Sequence, residues 1–460
     1  MQCASPSGKT RRVYTSHDAL PPTPRCGRPP RRIRRPGPPG ARVSRRVAVV
    51  GAGLAGVTTA YELAALGCSV QVFERGGSVA EQSTFASSAL LSPWLPGLTG
   101  AAAPAPLAWR WRRWRANRQG RDASAALFEL SRLGLARAAE LRRALGLDDE
   151  STSGLLVGLV DAKRLAAAQA LLQRWQTLGL AVELLGPQQA REREPGLSDQ
   201  AALVGALALP GGGTGNPRLF AQQLRHQAQR LGAGFRFHTT VRAIAADGAD
   251  LTLRHEHTPP TSAATRSAES EPGDTLPQAL GPQDERFDAV VLCNGLDALA
   301  LIGPRRSGLV LAAHHEASVT VPLRLLEAHP ELGPKAGWID PSRGLAIART
   351  GQRVRVNGGL AITGSKARRM PDFETLHRGL QHWFPGSVLH QQVQQGQSRR
   401  AVCPDGLPLV GSSKPGLWLN LSPGGCGWGL ACGAAQVLAQ QVAGGEPALD
   451  IAALAPQRLA

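Results

Sequence analysis

The 460-residue sequence predicts an α/β fold, α+β overall, on three observations. Short apolar runs that read as strands alternate with helical segments along the chain. The helical period is clear at Ala125–Leu145 and at Ala162–Leu178. Alanine and glycine are abundant while aromatic residues make up only 4% of the chain, which is typical of an alanine-rich α/β interior rather than of an aromatic-packed all-β protein.

The positive charge is concentrated in one arm. The formal net charge is +18, and residues 1–46 hold twelve Lys or Arg and one acid, so that +11 lies there and +7 in the rest. A fold that grips nucleic acid spreads basic residues over a folded face. The charge distribution therefore disfavours nucleic acid as a partner.

Cysteine usage excludes two further classes of protein. The seven cysteines are odd in number and form no C-x-x-C pair, so neither a disulfide framework nor a zinc ribbon is expected. This pattern favours a reducing compartment, and we expect a cytoplasmic protein with no metal site.

Two segments lack any hydrophobic pattern. Residues 1–45 form a basic tail rich in Pro, Gly and Arg, for which we expect disorder. Residues 255–286 are polar and rich in Pro, Ser and Thr, and we interpret them as a flexible insertion in a surface hairpin. His255 and His257 fall within this insertion and are not expected to bind a metal.

The strongest motif follows the first predicted strand. Residues 46–56 read RVAVVGAGLAG, a short apolar strand and a G-x-G-x-x-G turn that open an alanine-rich helix. Gly51 permits the tight turn, Gly53 lets the backbone approach a pyrophosphate, and Gly56 lets helix and strand pack closely. A second strand, Ser69–Phe73, ends in Glu74, which is placed to accept hydrogen bonds from ribose hydroxyls. This unit predicts dinucleotide binding at the helix N-terminus.

The two ends of the chain together favour FAD over NAD. Small residues at Ser83–Ala89 follow Glu74 and Arg75 and would let the backbone lie close to a flat ring. Near the other end, the strand-like run Leu417–Leu421 precedes a glycine-rich turn and a helix at Trp428–Val442. The N-terminus of that helix could face the pyrimidine edge of a flavin, where negative charge develops on reduction.

These motifs resemble the FAD-dependent D-amino-acid oxidase superfamily, and within it the bacterial D-amino acid dehydrogenases, from Val47 to about Asp450. The anchors beyond the fingerprint are Ser83–Pro93, Gly212–Phe220, Phe235–Val241, Asp288–Leu292, Arg400–Gly411 and Gly427–Gly433. The resemblance implies a Rossmann-like FAD-binding domain assembled from residues 46–100, 196–300 and 400–450. It also implies an inserted substrate-binding domain with a mixed sheet, from residues 101–195 and 301–399.

The resemblance also implies the residues around the cofactor. Val47–Tyr61 should wrap the ADP half, and the backbone of Val241 should contact the adenine. The predicted cofactor-binding residues are Val47, Ala48, Val49, Val50, Gly51, Ala52, Gly53, Leu54, Ala55, Gly56, Val57, Thr58, Thr59, Ala60, Tyr61, Glu74, Arg75, Ser83, Ser87, Val241, Gly295, Gly424, Gly425, Gly427 and Trp428.

The activity implied is oxidation of small D-amino acids to 2-oxo acids and ammonia, by hydride transfer from the α carbon to flavin N5. If the substrate amine binds neutral, the protein needs a side chain that binds the substrate carboxylate more than it needs an acid–base group. The planar guanidinium of arginine can bind both oxygens of a carboxylate. Arg400 matches the family's carboxylate-binding arginine, and Arg399 is the alternative. Ser87, Ser88, Ala89 and Leu90 depart from the usual asparagine, alanine, glycine and glutamine. Ser422, Pro423 and Gly424 likewise replace glycine, histidine and glycine.

Other interpretations remain open. The same fold could serve a glycine/sarcosine-type oxidase or a tRNA-modifying enzyme that acts on a secondary amine, or the departures could mark a flavin-binding protein with a degraded site. The related dehydrogenases pass electrons to a quinone. On a helix, Leu107, Trp111 and Trp114 would share one face with arginines around it. This face either contacts an anionic membrane or packs on the body of the protein.

Overall fold

Three β-sheets organise the part of the chain that the computed structural model describes, which is residues 44–94, 106–119, 123–248, 250–258, 281–303, 309–326, 332–362, 373–421 and 427–459. The strands are β1 (Arg46–Val50), β2 (Ser69–Phe73), β3 (Leu90–Leu91), β4 (Thr152–Leu159), β5 (Glu183–Leu185), β6 (Gly205–Thr214), β7 (Gly234–Arg236), β8 (Thr239–Asp247), β9 (Asp250–His257), β10 (Gln283–Phe287), β11 (Ala289–Leu292), β12 (Ala312–Pro322), β13 (Gly337–Asp340), β14 (Leu345–Thr350), β15 (Arg353–Ile362), β16 (Gln394–Val402), β17 (Leu409–Lys414) and β18 (Leu417–Leu421). The helices are α1 (Leu54–Ala65), α2 (Leu107–Gln119), α3 (Ala123–Leu145), α4 (Ala162–Thr177), α5 (Pro187–Arg193), α6 (Pro217–Arg230), α7 (Ala298–Ile302), α8 (Phe373–Trp383) and α9 (Gly427–Val442).

The first sheet is largely parallel and has the order β17-β18-β11-β1-β2-β7. β1 lies near its centre and pairs in parallel with both β2 and β11. Val47–Val50 are all buried, as expected for a strand covered on both faces. The predicted strands at Ser69–Phe73 and Leu417–Leu421 are confirmed as β2 and β18.

A layer of helices packs beside this parallel sheet. α1 contacts α6 and α9, and α9 also contacts α3. α3 and α9 cross at glycines, because a Cβ on Gly134 would lie 2.1 Å from the carbonyl oxygen of Gly429. The predicted helices at Ala125–Leu145 and Ala162–Leu178 are confirmed as α3 and α4, with ends that differ by one or two residues.

The second sheet is mixed and contains nine strands in the order β16-β12-β15-β14-β13-β4-β6-β3, with β5 paired to β6. β13 and β4 run parallel, while β12 pairs antiparallel with β15 and with β16. Trp338, Trp383 and Phe384 are fully buried in its core. The predicted α/β class with a mixed sheet is confirmed.

The nine-stranded sheet includes strands from the ranges predicted for the cofactor domain. β3 (Leu90–Leu91) and β6 (Gly205–Thr214) pair with each other there, β6 also pairs with β4, and residues 400–402 belong to β16 of the same sheet. Residues 211–213 are three consecutive glycines, which carry no alternation of side chains that could indicate a partner strand. The predicted domain boundaries themselves stay a prediction.

The predicted flexible insertion at residues 255–286 is too wide. β8, β9 and β10 form a three-stranded antiparallel sheet, in which His255 and His257 belong to β9 and residues 283–286 to β10. His255 is buried, with its ring 4.9 Å from that of Phe73 and its Nε2 3.1 Å from Glu285. The sequence does not reveal this pairing because the many polar side chains of β9 and β10 hide the period of two. Residues 259–280, like residues 1–43 of the tail, lie outside the described ranges.

None of the helices in the described ranges combines the length and the hydropathy that a membrane-crossing segment requires.

Candidate active site

One elongated cavity of about 1040 Å³ connects the parallel sheet with the nine-stranded sheet. Its wall runs from Gly51, after β1, past Glu74 and Val241, to Trp428 at the start of α9 and Arg399 on β16. The volume lies at the upper end of the range for ligand pockets, which suits a dinucleotide with a small substrate beside it.

The turn between β1 and α1 has the geometry of a phosphate-binding loop. Gly51 adopts a φ of +98°, which side chains rarely tolerate, and a Cβ on Gly56 would lie 1.8 Å from the carbonyl oxygen of Gly51. Gly53, Leu54 and Ala55 bring the N-terminus of α1 to the cavity. The positive end of the helix dipole therefore faces the space where a pyrophosphate would bind.

Glu74 ties this turn to the end of β2. Its Oε2 accepts a hydrogen bond from the Ala52 amide at 2.6 Å, and its Oε1 accepts one from the Gly76 amide at 2.7 Å. The carboxylate lines the cavity, as expected for a group that would meet a ribose, and each oxygen keeps further acceptor capacity. The neighbouring Arg75 forms an ion pair of 2.7 Å with Asp297.

The segment Ser83–Ala89, which follows β2, forms another wall of the cavity. Side chains of the nine-stranded sheet donate hydrogen bonds to its backbone. The buried Arg355 donates from Nε to Thr320 Oγ1 at 2.9 Å and from Nη1 to the Phe85 carbonyl at 2.8 Å. Asn357 donates to the Ala86 carbonyl at 2.8 Å. Burial lowers the pKa of Arg355 to about 10, because the charged guanidinium loses water there.

Ala89 lies at the end of this wall in a left-handed conformation, with φ of +60°. The residue is 1% exposed and lines the cavity. A non-glycine residue at this φ is strained. A glycine at this position would adopt the same φ without strain.

Both candidate arginines line the cavity on β16. The register of β16 with β12 places Arg399 opposite His315 and Arg400 opposite His314. Arg400 forms an ion pair with Glu316, a side chain that is 4% exposed. Arg399 is exposed, and within the described part of the chain its guanidinium has no acidic partner. The structure thus brings the two together but gives them different environments.

The predicted cofactor residues fall into three groups. Those that line the cavity are Val50, Gly51, Gly53, Leu54, Ala55, Glu74, Arg75, Ser83, Ser87, Val241, Gly295, Gly427 and Trp428. Those that build β1, α1 and the turn without lining the cavity are Val47, Ala48, Val49, Ala52, Gly56, Val57, Thr58, Thr59, Ala60 and Tyr61. Gly424 and Gly425 lie outside the described residues.

The cavity also contains polar residues that the sequence motifs do not predict, among them Asn294, His315 and Asn420. Asn294 follows β11, and the carboxyl end of a central parallel strand is a signal that could have identified it. Cys293 beside it lines the cavity and is half-buried, and loss of water around the thiol raises its pKa to about 12, which disfavours the thiolate.

Three buried polar atoms on the cavity wall support the fit of a ligand. Among the described residues, Ser87 Oγ, Asn294 Oδ1 and Trp428 Nε1 are buried and have no hydrogen-bond partner. Buried polar groups are nearly always satisfied, so such atoms on one cavity indicate a polar ligand. Together with the glycine turn and the α1 N-terminus, they fit FAD.

The fold and this cavity define a dinucleotide-binding oxidoreductase. Residues 46–441 match the family described as DAO, FAD dependent oxidoreductase. A D-amino acid dehydrogenase from Cereibacter sphaeroides is 30% identical over 444 residues, which cover 90% of this chain and 95% of that protein. A D-amino acid dehydrogenase from Agrobacterium fabrum is 28% identical and covers 90% and 99% of the two chains.

Solved structures share the fold. Glycine oxidase from Geobacillus kaustophilus superposes with a TM-score of 0.65 at 22% identity, covering 90% of this chain and 98% of that one. L-proline dehydrogenase from P. horikoshii superposes with a TM-score of 0.66 at 16% identity, covering 90% and 97%. The chain belongs to the DAO family of FAD-dependent oxidoreductases, as its motifs predict.

Proposed function

We propose that this enzyme oxidises small D-amino acids to 2-oxo acids and ammonia and passes the electrons to a quinone or another carrier. The observation that carries the proposal is the position of Arg399 and Arg400 on the same cavity as the predicted FAD-binding residues. The D-amino acid dehydrogenases that match over nearly their whole length support this substrate class.

In this proposal FAD lies along the cavity, with its ADP half at the β1–α1 turn. The α1 N-terminus would bind the pyrophosphate, Glu74 the ribose, and the backbone of Val241 the adenine. The flavin would lie between the Ser83–Ala89 wall and Trp428. When bound, FAD would accept a hydride from the substrate α carbon.

The protein would contribute orientation. A guanidinium on β16 would bind the substrate carboxylate and so point the α carbon toward the flavin side of the cavity. Small residues at Ser87, Ser88 and Ala89 leave space for the ring and a short side chain. If the amine binds neutral, it has no extra proton to lose before hydride transfer and no side-chain base is needed. Water would then hydrolyse the imine to the 2-oxo acid and ammonia.

We further propose a peripheral membrane contact through α2, on the inner face of the cytoplasmic membrane. Leu107 is 79% exposed, and Trp111 and Trp114 are each 56% exposed, whereas Trp109 is buried. Exposed Arg110, Arg112 and Arg115 surround these side chains. Exposed tryptophan among arginines suits the headgroup layer of an anionic bilayer, where a quinone acceptor would be within reach.

Product analysis tests the proposed reaction. The purified holoenzyme with a soluble quinone should convert D-alanine to pyruvate and ammonia, with little product from L-alanine. Oxidation of glycine and sarcosine alone would instead support the glycine/sarcosine-type oxidase. A bound flavin that no amine reduces would support a degraded site.

A further inference from the structure

The wall formed by β12 and β16 carries two arginines but only one buried acid. Arg399 and Arg400 are consecutive on β16, and Glu316 lies on β12 two positions along from His314, the residue opposite Arg400. Arg400 Nη2 contacts Glu316 Oε1 in an ion pair. The charge of Arg400 is therefore already balanced inside the protein.

Glu316 is well hidden from solvent and from the ligand. Its side chain is 4% exposed, and it does not itself line the cavity. In the described part of the chain its second oxygen, Oε2, has no hydrogen-bond partner. Burial raises the pKa of this carboxyl, and the adjacent guanidinium opposes that effect. The negative charge of the Glu316 carboxylate is therefore compensated by the positive charge of Arg400.

Arg399 has the opposite environment. Its carbonyl oxygen accepts a hydrogen bond from Ser83 Oγ at 2.9 Å, which fixes the backbone, while the residue as a whole is exposed. Within the ranges that the structure describes, no carboxylate pairs with its guanidinium. Because the Arg400–Glu316 pair is neutral as a unit, Arg399 contributes one positive charge to this wall.

We propose that Glu316 is a specificity-determining residue, which neutralises Arg400 so that the cavity accepts amino acids with one carboxylate and disfavours those with two. A monocarboxylate finds its counter-charge in Arg399. A second carboxylate on the side chain would have to compete with Glu316 for Arg400. This inference rests on the proposed function, since it assigns the substrate class of the same site.

The decisive variant is Glu316→Gln, which keeps the shape and one acceptor oxygen but releases the charge of Arg400. Relative to the wild-type holoenzyme, the ratio of kcat/KM for D-aspartate to that for D-alanine should rise roughly tenfold, chiefly through KM. All variants are assayed at one common pH. An unchanged ratio, or an equal loss with both substrates, overturns the proposal in favour of a purely orienting role.

Three further variants complete the test. Glu316→Asp, which retains the charge, should keep the wild-type ratio. The double variant Glu316→Met/Arg400→Met removes the whole ion pair and should also show the wild-type ratio of kcat/KM values. It provides a test if Glu316→Gln does not fold. Glu194→Gln is a matched control, because Glu194 is another buried glutamate, away from the cavity, and accepts hydrogen bonds from the amides of Lys335 and Ala336. A shift of the ratio in the double variant overturns the charge argument.

Equilibrium binding separates this inference from the proposed reaction. Acetate and malonate can be titrated into the holoenzyme while the flavin absorption is followed, without any turnover. Glu316→Gln should tighten malonate roughly tenfold relative to acetate, even if D-alanine proves not to be a substrate. Equal effects on the two acids contradict the inference and leave the proposed reaction to be judged by its products.

Discussion

The hydroxyl of Ser83 donates a hydrogen bond of 2.9 Å to the carbonyl oxygen of Arg399, two residues that are 316 positions apart in the chain. Ser83 follows the second strand of the parallel sheet, whereas Arg399 belongs to β16 at the edge of the nine-stranded sheet. The bond therefore joins the wall predicted to face the flavin to the strand predicted to face the substrate. A displacement of either wall should therefore change the position of the other.

Removal of Glu74 should weaken FAD binding. Glu74→Ala loses the acceptors for the Ala52 and Gly76 amides and leaves the β1–α1 turn without its tie to β2. We expect an increase of roughly tenfold or more in the dissociation constant of FAD, measured by titration of the apoprotein. Glu129→Ala, at an exposed ion pair on α3, is the control. Unchanged FAD affinity in Glu74→Ala contradicts the placement of the nucleotide.

Relief of strain at Ala89 should stabilise the protein. Glycine accepts the φ of +60° that alanine adopts there at a cost, although the unfolded chain gains some entropy in return. We expect Ala89→Gly to raise the free energy of unfolding by about 0.5–1 kcal/mol, and Tm by about 1–2 °C. Ala86→Gly, which removes a buried methyl, should lower Tm. A lower Tm in Ala89→Gly would show that this segment is not strained.

Arg355 should be required for the shape of the flavin wall. Arg355→Lys keeps a charge but cannot reach Thr320 Oγ1 and the Phe85 carbonyl together, so the wall loses a support. We expect a loss of about 2–3 kcal/mol in unfolding free energy and a changed absorption spectrum of the bound flavin. Arg378→Lys, on the exposed face of α8, should change neither. If stability falls but the flavin spectrum is unaltered, Arg355 supports the fold and does not shape the environment of the flavin.

Glu194 should make stability fall as pH rises. Burial raises the pKa of its carboxyl from 4.5 to about 7, so the folded protein holds this proton more tightly than the unfolded chain. The stabilisation from that proton is complete below pH 4.5 and is lost as the pH rises through 7. Urea unfolding at several pH values should show a fall of a few kcal/mol that is smaller in Glu194→Gln. Parallel pH profiles for the two proteins would contradict the assignment.

Helix α2 should bind anionic membranes. Trp111→Ala/Trp114→Ala removes two exposed indoles from the face that we propose inserts between headgroups. Co-sedimentation with vesicles containing phosphatidylglycerol should fall roughly tenfold, and added salt should weaken the wild-type binding. Vesicles of phosphatidylcholine alone serve as the comparison. Wild-type protein that does not sediment with either vesicle refutes the membrane contact.

The sequence predicted those features that depend on neighbours along the chain. The β1–α1–β2 unit from Arg46 to Glu74 is local, since its glycines, apolar strand and acid lie within thirty residues. Strand partners were not predictable in the same way. The ion pair between Arg400 and Glu316 spans 84 positions and exists only because β12 and β16 pair in one particular register. For the same reason the sequence did not predict that Gly205–Thr214 joins the nine-stranded sheet or that His255 lies on a strand.

The most direct test of the account is the flavin colour of the purified holoprotein under anaerobic conditions. Addition of D-alanine should bleach the flavin absorption band within the time of a turnover, while the same concentration of L-alanine should leave it unchanged. A protein that binds FAD but is bleached by no D-amino acid contradicts the proposed reaction. A colourless protein that cannot be reconstituted with FAD contradicts the placement of the cofactor in the cavity.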